Sequence, residues 1–245
     1  MKTRQIYWLI AIVIVVGIGL VIWLTNRNNS SDVKNENSAA DTQTPADNSN
    51  TAQTPSTSNA GPCTRSVNNK VMQDKIDIKN KFVTLSVEGY GDVKVELYDE
   101  DAPKTVENFL RLTASGYYDC LTFHRIAKGF VVQGGDPTGT GSGGDSAFGG
   151  EFEDELNPNT PSSKAGYKKG VLAMANRGPN TNTSQFFIML ADNELPHNYT
   201  IFGKVIVGQN VVDKIGAAPI NPQMGPTDGA PVSKITITKA TISDK

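Results

Sequence analysis

The residues able to do chemistry in this 245-residue chain are few, and most familiar arrangements are missing from it. There are two histidines, His124 and His197, but no H-E-x-x-H pair to hold a metal and no G-x-S-x-G elbow to present a nucleophilic serine. Cys63 and Cys120 lack a C-x-x-C neighbour, so neither redox exchange nor a zinc site is indicated. Gly139, Gly141 and Gly144 satisfy G-x-G-x-x-G, but a dinucleotide site needs a strand before the motif and a helix after it. Here GGDSAFGGEF follows, and the segment reads as a mobile glycine-rich surface loop. What remains is one dense block from Phe123 to Asp136 (FHRIAKGFVVQGGD), with Arg125 in an otherwise apolar strand and Phe130 and Gln133 just beyond it. A guanidinium is permanently charged and offers several fixed N–H donors, so it can stabilise developing electron density without acting as nucleophile or base. Taken alone, an arginine is more often a surface or salt-bridged residue, and the rest of the chain must decide.

The elements that would position these residues follow from hydrophobic periodicity. Val83, Leu85 and Val87, then Val93, Val95 and Leu97, alternate on either side of the turn-rich Glu88 to Asp92, which predicts an opening antiparallel hairpin. Val106, Phe109, Leu110 and Thr113 share one helical face between Pro103 and Gly116, predicting a helix over Pro103 to Ser115. Short apolar runs separated by Gly, Pro and Asn follow at Leu121 to Ile126, Phe130 to Gln133, Val171 to Ala175, Gln185 to Leu190 and Ile201 to Val207. A second short helix is expected at Asn210 to Ile215 and a closing strand at Lys234 to Ile242. Many short strands with two helices predict a mostly antiparallel sheet, closed into a barrel that removes its exposed edges.

Ahead of this globular part the composition changes twice. Residues Ile6 to Leu24 carry no charge, and a helix needs about 20 apolar residues to cross a bilayer. Trp8 and Trp23 sit near the ends of the run, and Lys2 and Arg4 precede it, which predicts a single-pass anchor with residues 1–5 cytoplasmic and the remainder extracytoplasmic. No small-residue cleavage site follows. Residues 25–62 are almost wholly polar and too poor in apolar surface to offset their ordering entropy, so they are expected to form a disordered linker. An exported chain meets an oxidising compartment, where an even pair of cysteines forms a disulfide more readily than two thiols; Cys63 and Cys120 are the candidates. With a net charge of -2 and no basic block, nothing favours nucleic-acid binding.

Three stretches, FHRIAKGFVVQGGDPTGTGSGG, MANRGPNTNTSQFFIML and LPHNYTIFGKVIVGQNVVDKI, resemble the central blocks of the cyclophilin family of peptidyl-prolyl cis/trans isomerases, in the same order and at similar spacing. The resemblance runs from about Phe82 to Ile242. It implies an isomerase domain over 82–243 behind a lead-in of 63–81, folded as an eight-stranded antiparallel barrel capped by two helices. Together with the N-terminal segment it suggests a membrane-anchored bacterial type that assists the folding of exported proteins as a monomer. By motif position, Arg125 corresponds to the family's catalytic arginine and Gln133 to the glutamine that orients it. Phe130, Val131, Phe187 and Leu195 correspond to the walls of a proline pocket, and Ala175, Asn176 and Gln185 to the groove for residues before the proline. Tyr199 stands where several eukaryotic members have a histidine, and Glu194 where they have a tryptophan important for cyclosporin, so weak cyclosporin binding is expected. The implied substrates are proline-containing polypeptides, with no cofactor and no metal.

The residues suit that chemistry. Resonance in the peptide bond sets a rotation barrier of about 18–20 kcal/mol. Before proline the two isomers differ by only ~0.5–1 kcal/mol, yet exchange slowly. As the bond twists, a lone pair returns to the imide nitrogen, and a guanidinium can bond it more strongly there than in either planar state. A proline-docking module without catalysis is the competing reading, and a purely structural barrel would leave the Arg, Gln and Asn set without a purpose.

Overall fold

The computed structural model describes residues 63–245. The anchor expected over 6–24 and the linker expected over 25–62 lie outside the described residues. Among the described residues, no helix is long and apolar enough to cross a membrane.

The lead-in is docked onto the domain. A disulfide joins Cys63 to Cys120 with their Cα atoms 5.5 Å apart. The short helix α1 (Asn69–Gln73) follows, capped by the Asn68 side chain, which accepts the amides of Lys70 and Val71 at 3.1 and 3.3 Å. The amide of Asn68 itself donates to the Ser115 carbonyl at 2.9 Å. Val67, Met72, Ile76 and Ile78 from this segment pack against the main core.

The strands β1 (Lys81–Val87) and β2 (Gly91–Leu97) form the hairpin that the alternation predicts, with every second residue buried. Helix α2 (Pro103–Ala114) buries Val106, Phe109, Leu110 and Thr113, the face read from the sequence. Its residue before the first turn, Ala102, offers no side-chain cap. The carboxylate of Glu155 caps it instead, accepting the amides of Lys104 and Thr105 at 3.0 and 2.8 Å from a distant loop. The remaining elements are β3 (Leu121–Ala127), β4 (Val131–Gly134), α3 (Pro161–Ala165), β5 (Val171–Met174), β6 (Phe186–Met189), β7 (Ile201–Val207), α4 (Gln209–Ala217), β8 (Ile220–Pro222), β9 (Asp228–Pro231) and β10 (Thr236–Asp244).

Eight strands close into a ring in the order β10, β1, β2, β7, β5, β6, β4, β3, and all pairings are antiparallel. The ring shuts where Thr236 and Ile237 of β10 pair with Thr122 and Leu121 of β3. The ring is the expected eight-stranded barrel, and two features go beyond the expectation of two capping helices. Among the described residues there are four helices, but α1 and α3 have only five residues each, too short to show a 3.6-residue period. A β8–β9 hairpin also adds to the outer edge of β3, outside the ring. Its Pro- and Gly-rich sequence (INPQMGPTDGAP) reads as loop; the hairpin accommodates Pro222 and Pro231 at strand ends, where a missing N–H is tolerated.

The short central strands are apolar throughout because both of their faces are buried. Leu172, Met174, Phe186 and Ile188 point into the barrel core, around Phe109, Tyr118 and Phe202. Their neighbours Val171, Ala173, Phe187 and Met189 form a second apolar cluster with Ala127, Val131, Tyr167 and Ile201. Period-two alternation thus splits one run of apolar residues between a structural core and a separate cluster, at whose margin Phe130, Ala175, Leu195 and Tyr199 are only partly buried.

Candidate active site

A register shift places the arginine. Phe123 pairs with Gly134 and Arg125 with Gln133, so His124 is the extra residue of a β-bulge in β3. A regular ladder would set His124 opposite Gln133 and turn Arg125 away from it. With the bulge, Arg125 and Gln133 stand side by side, and Gln133 pairs in turn with Phe187 and Phe187 with Ala173. Arg125, Gln133 and Phe187 therefore lie in one row across three adjacent strands, on the same side of the sheet.

The polar members of the row are joined by hydrogen bonds. Arg125 Nη1 donates to Gln133 Oε1 at 2.9 Å, and Gln133 Nε2 donates to Gln185 Oε1 at 2.9 Å. Gln185 Nε2 ends the chain on the carbonyls of Gly141 and Gly143 at 3.0 and 2.8 Å. Each amide is thus fixed in one orientation. On its other edge Arg125 forms a two-point ion pair with Asp228, Nε to Oδ1 at 2.8 Å and Nη2 to Oδ2 at 2.6 Å. Sequence reading missed Asp228, which sits about a hundred residues downstream in the turn-like PTDGAP.

Beside this network is a cavity of about 170 Å³ lined by Arg125, Phe130, Val131, Gln133, Ala175, Asn176, Phe187, Leu195 and Tyr199. All the positions singled out for substrate are brought together here except Gln185, which lines a small adjoining cavity with Gly141, Gly143 and Arg177. Phe187 belongs to the outer cluster rather than the barrel core, and it meets the Tyr199 ring edge-on, with ring centroids 5.5 Å apart. Tyr199 is held by Tyr167, whose hydroxyl donates to its carbonyl at 2.8 Å and accepts its amide at 3.1 Å. The Asn176 side chain donates to the Asn198 carbonyl at 2.8 Å, which fixes the loop that forms the groove wall. Glu194 is exposed beside this cavity's Leu195.

The glycine-rich loop lies at the surface, as its composition suggests, and is tied to a buried carboxylate. Asp136, 1% exposed, accepts the amides of Thr138, Thr140, Gly141 and Gly143 at 2.8, 3.0, 2.6 and 3.2 Å. A side chain at Gly143 would overlap the Asp136 carboxylate, and one at Gly144 the Ser184 hydroxyl. The glycines let the loop wrap the carboxylate and present the carbonyls that orient Gln185. Burial pushes the Asp136 carboxyl up, but the Thr138 amide and hydroxyl and the Gly143 and Gly141 amides outweigh it, and its pKa lies below the ordinary value.

A larger cavity, about 320 Å³, is lined by Cys120, Thr122, His124, Asp136, Thr138 and Lys234 among others. It lacks the pairing of an arginine with aromatic walls. Burial is the main cause that lowers the pKa of His124; Asp136 opposes it and Arg125 adds to it. A histidine with a folded pKa below its ordinary value of 6.5 takes up its proton in the unfolded state first. Stability is therefore full above that value and falls as pH drops from it towards the lowered folded pKa. The melting temperature should decline between about pH 7.5 and pH 5, and decline less in a His124→Gln variant measured alongside.

A closed antiparallel barrel with an outer apolar cavity, an arginine held at its lip and a glutamine relay beneath it defines a cyclophilin-like protein. The model of the cyclophilin type peptidyl-prolyl cis-trans isomerase family matches residues 82–242. The peptidyl-prolyl cis-trans isomerase-like 1 of Aspergillus niger is 47% identical over 152 residues, 62% of this chain and 91% of that protein. Two crystal structures of a Cryptosporidium parvum cyclophilin type peptidyl-prolyl cis-trans isomerase, one in the presence of the dipeptide Ala-Pro, are 40% identical. They superimpose with TM-scores of 0.60 and 0.59, covering 67% of this chain and 98% and 99% of theirs. The chain belongs to the cyclophilin family and is a peptidyl-prolyl cis-trans isomerase. Both organisms are eukaryotes, so these similarities lend nothing to a bacterial, membrane-anchored type.

Proposed function

We propose that the cavity beside Arg125 is where an X–Pro bond is twisted. The observation that carries this reading is the coincidence, around one opening, of apolar walls sized for a pyrrolidine ring and a guanidinium held by two partners. Phe130, Phe187 and Leu195 hold the proline ring, while the groove formed by Ala175, Asn176 and Gln185 holds the residues before it. One half of the bond then rotates against the other. Arg125 donates to the imide nitrogen as its lone pair returns, an interaction stronger in the twisted state than in either planar one. Apolar walls that exclude water strengthen it. A similar protein crystallised in the presence of Ala-Pro supports the assignment of an X–Pro dipeptide as the minimal ligand. All the groups required come from one chain, so the reading needs no second copy.

The finer reading is that the clients are exported or membrane-proximal chains, met by an isomerase domain on the outer side of a membrane. It is supported by the uncharged run over 6–24, the two cations ahead of it and the disulfide, since such bonds persist in oxidising compartments. Cis/trans exchange of an Ala-Pro-containing tetrapeptide, followed by NMR with the full chain, tests the reaction. Peptide binding without faster exchange would replace the isomerase site by a docking groove. Protease added to intact cells tests the location, and a protected domain would reverse it.

A further inference from the structure

Arg125 is gripped by a carboxylate that rotation of a peptide bond does not itself require. Asp228 opens β9, and its fork to Nε and Nη2 fixes the plane of the guanidinium as well as its position. Of the five guanidinium N–H donors, Asp228 takes two and Gln133 one, which leaves one on Nη1 and one on Nη2. The backbone of Asp228 is fixed too. Its amide donates to the Gly225 carbonyl at 3.3 Å, and its carbonyl accepts the amides of Gln223 and Met224 at 2.9 and 3.1 Å. The hairpin is pinned to the site strand by the pairs Ile126 with Gly229 and Ala127 with Asp228. The next residue is glycine for a local reason: a Cβ there would overlap the Asn221 carbonyl across the hairpin. The β8–β9 hairpin lies outside the closed ring, so the barrel itself does not need it for closure.

We propose that Asp228 is a positioning residue of the active site, holding Arg125 so that its two remaining Nη donors face the proline cavity, and that the β8–β9 hairpin serves to deliver this carboxylate. The proposal rests on the reading of Arg125 as the residue that stabilises the twisted bond. Two effects of the carboxylate oppose each other. It cancels part of the positive charge on Arg125, and it sets the angle of the donors. Orientation dominates, because the acceptor is a neutral nitrogen lone pair, and a hydrogen bond to it weakens steeply with misalignment. Both side chains are only partly exposed, 27% for Arg125 and 19% for Asp228, so the pair is less screened than an ordinary surface bridge.

The test uses the full chain in four forms: unaltered, Arg125→Ala, Asp228→Asn and Asp228→Ala. NMR exchange on the Ala-Pro tetrapeptide yields kcat and KM separately. Asp228→Asn, which keeps the shape and removes the charge, should lower kcat about tenfold while KM moves by less than about threefold, and Asp228→Ala should lower kcat further. The Nε–H resonance of Arg125 should be protected from solvent exchange in the unaltered chain, where Asp228 accepts it, and should lose that protection in both Asp228 variants. If Arg125→Ala is inactive while Asp228→Asn keeps or raises kcat, the positioning role is overturned and the role of Arg125 stands. A loss in Asp228→Asn that follows only the folded fraction, read from its melting curve, overturns it equally. If Arg125→Ala is as active as the unaltered chain, the reading of Arg125 fails and this proposal with it.

Discussion

Replacing Arg125 by alanine should lower kcat on an X–Pro peptide by about a hundredfold, the usual cost of removing one preorganised donor aimed at developing charge. That corresponds to about 2.7 kcal/mol of a barrier of about 18–20 kcal/mol. The fold should survive, because the arginine belongs to neither apolar cluster and lies on the outer face of the sheet. The loss has two sources. The donor to the imide nitrogen disappears, and Gln133 loses the partner that orients its carbonyl oxygen, leaving it held only through Gln185. Arg125→Lys sharpens the test, since an ammonium keeps the charge but cannot satisfy Asp228 at two points while also reaching Gln133. A lysine variant close to the alanine variant in kcat would show that geometry matters more than charge. Near-full activity in either would mean that the cavity walls alone, by holding the bond twisted, account for the catalysis.

The second large effect is on stability. Breaking the Cys63–Cys120 bond by a double serine substitution removes a closed loop with a sequence separation of 57, a denatured-state constraint of about 4 kcal/mol on the chain-entropy account. For a domain of this size the melting temperature should fall by roughly 10 °C. Activity at low temperature should change little. Cys120 donates its amide to Ile237 at 2.7 Å and is followed at once by β3, which is anchored independently by β4, β9 and β10. A shift of a degree or two would mean that the lead-in gains its order from the contacts of Val67, Met72, Ile76 and Ile78 alone.

How far the sequence reaches differs between elements. Strands with one buried face, such as β1 and β2, are written in their alternation, and α2 in its 3.6-residue stripe with Pro103 and Gly116 at its ends. β5 and β6 can be recognised as strands from their apolar runs, but the run does not tell which residues face the core and which line the cavity, because every position is buried. The two five-residue helices and the β8–β9 hairpin leave no periodic trace. In the site, Arg125, Gln133 and their neighbours are legible only through resemblance to a family; alone, one arginine in an apolar strand has many meanings. The bulge at His124 is silent, since the order of residues in LTFHRIA carries no mark of the register opposite. Asp228 is silent for another reason: contact across a hundred residues is made by topology, and a carboxylate in a proline- and glycine-rich turn looks like any solvated loop acid.

The seam of the barrel has a consequence for how the chain comes to exist. β1 is among the first strands of the domain, yet its partner on one side is β10, in register from Lys81 with Asp244 to Val87 with Ile237. During synthesis β1 and β2 can pair early, but the other edge of β1 stays open until residue 244 has been made, and so does the edge of β3 that β10 meets. A ribosome that stops short of β10 would release a curled sheet with two unpaired edges, which is the shape that recruits other strands. A peptidyl-prolyl isomerase of this topology therefore cannot close its own barrel until residue 244 has been added.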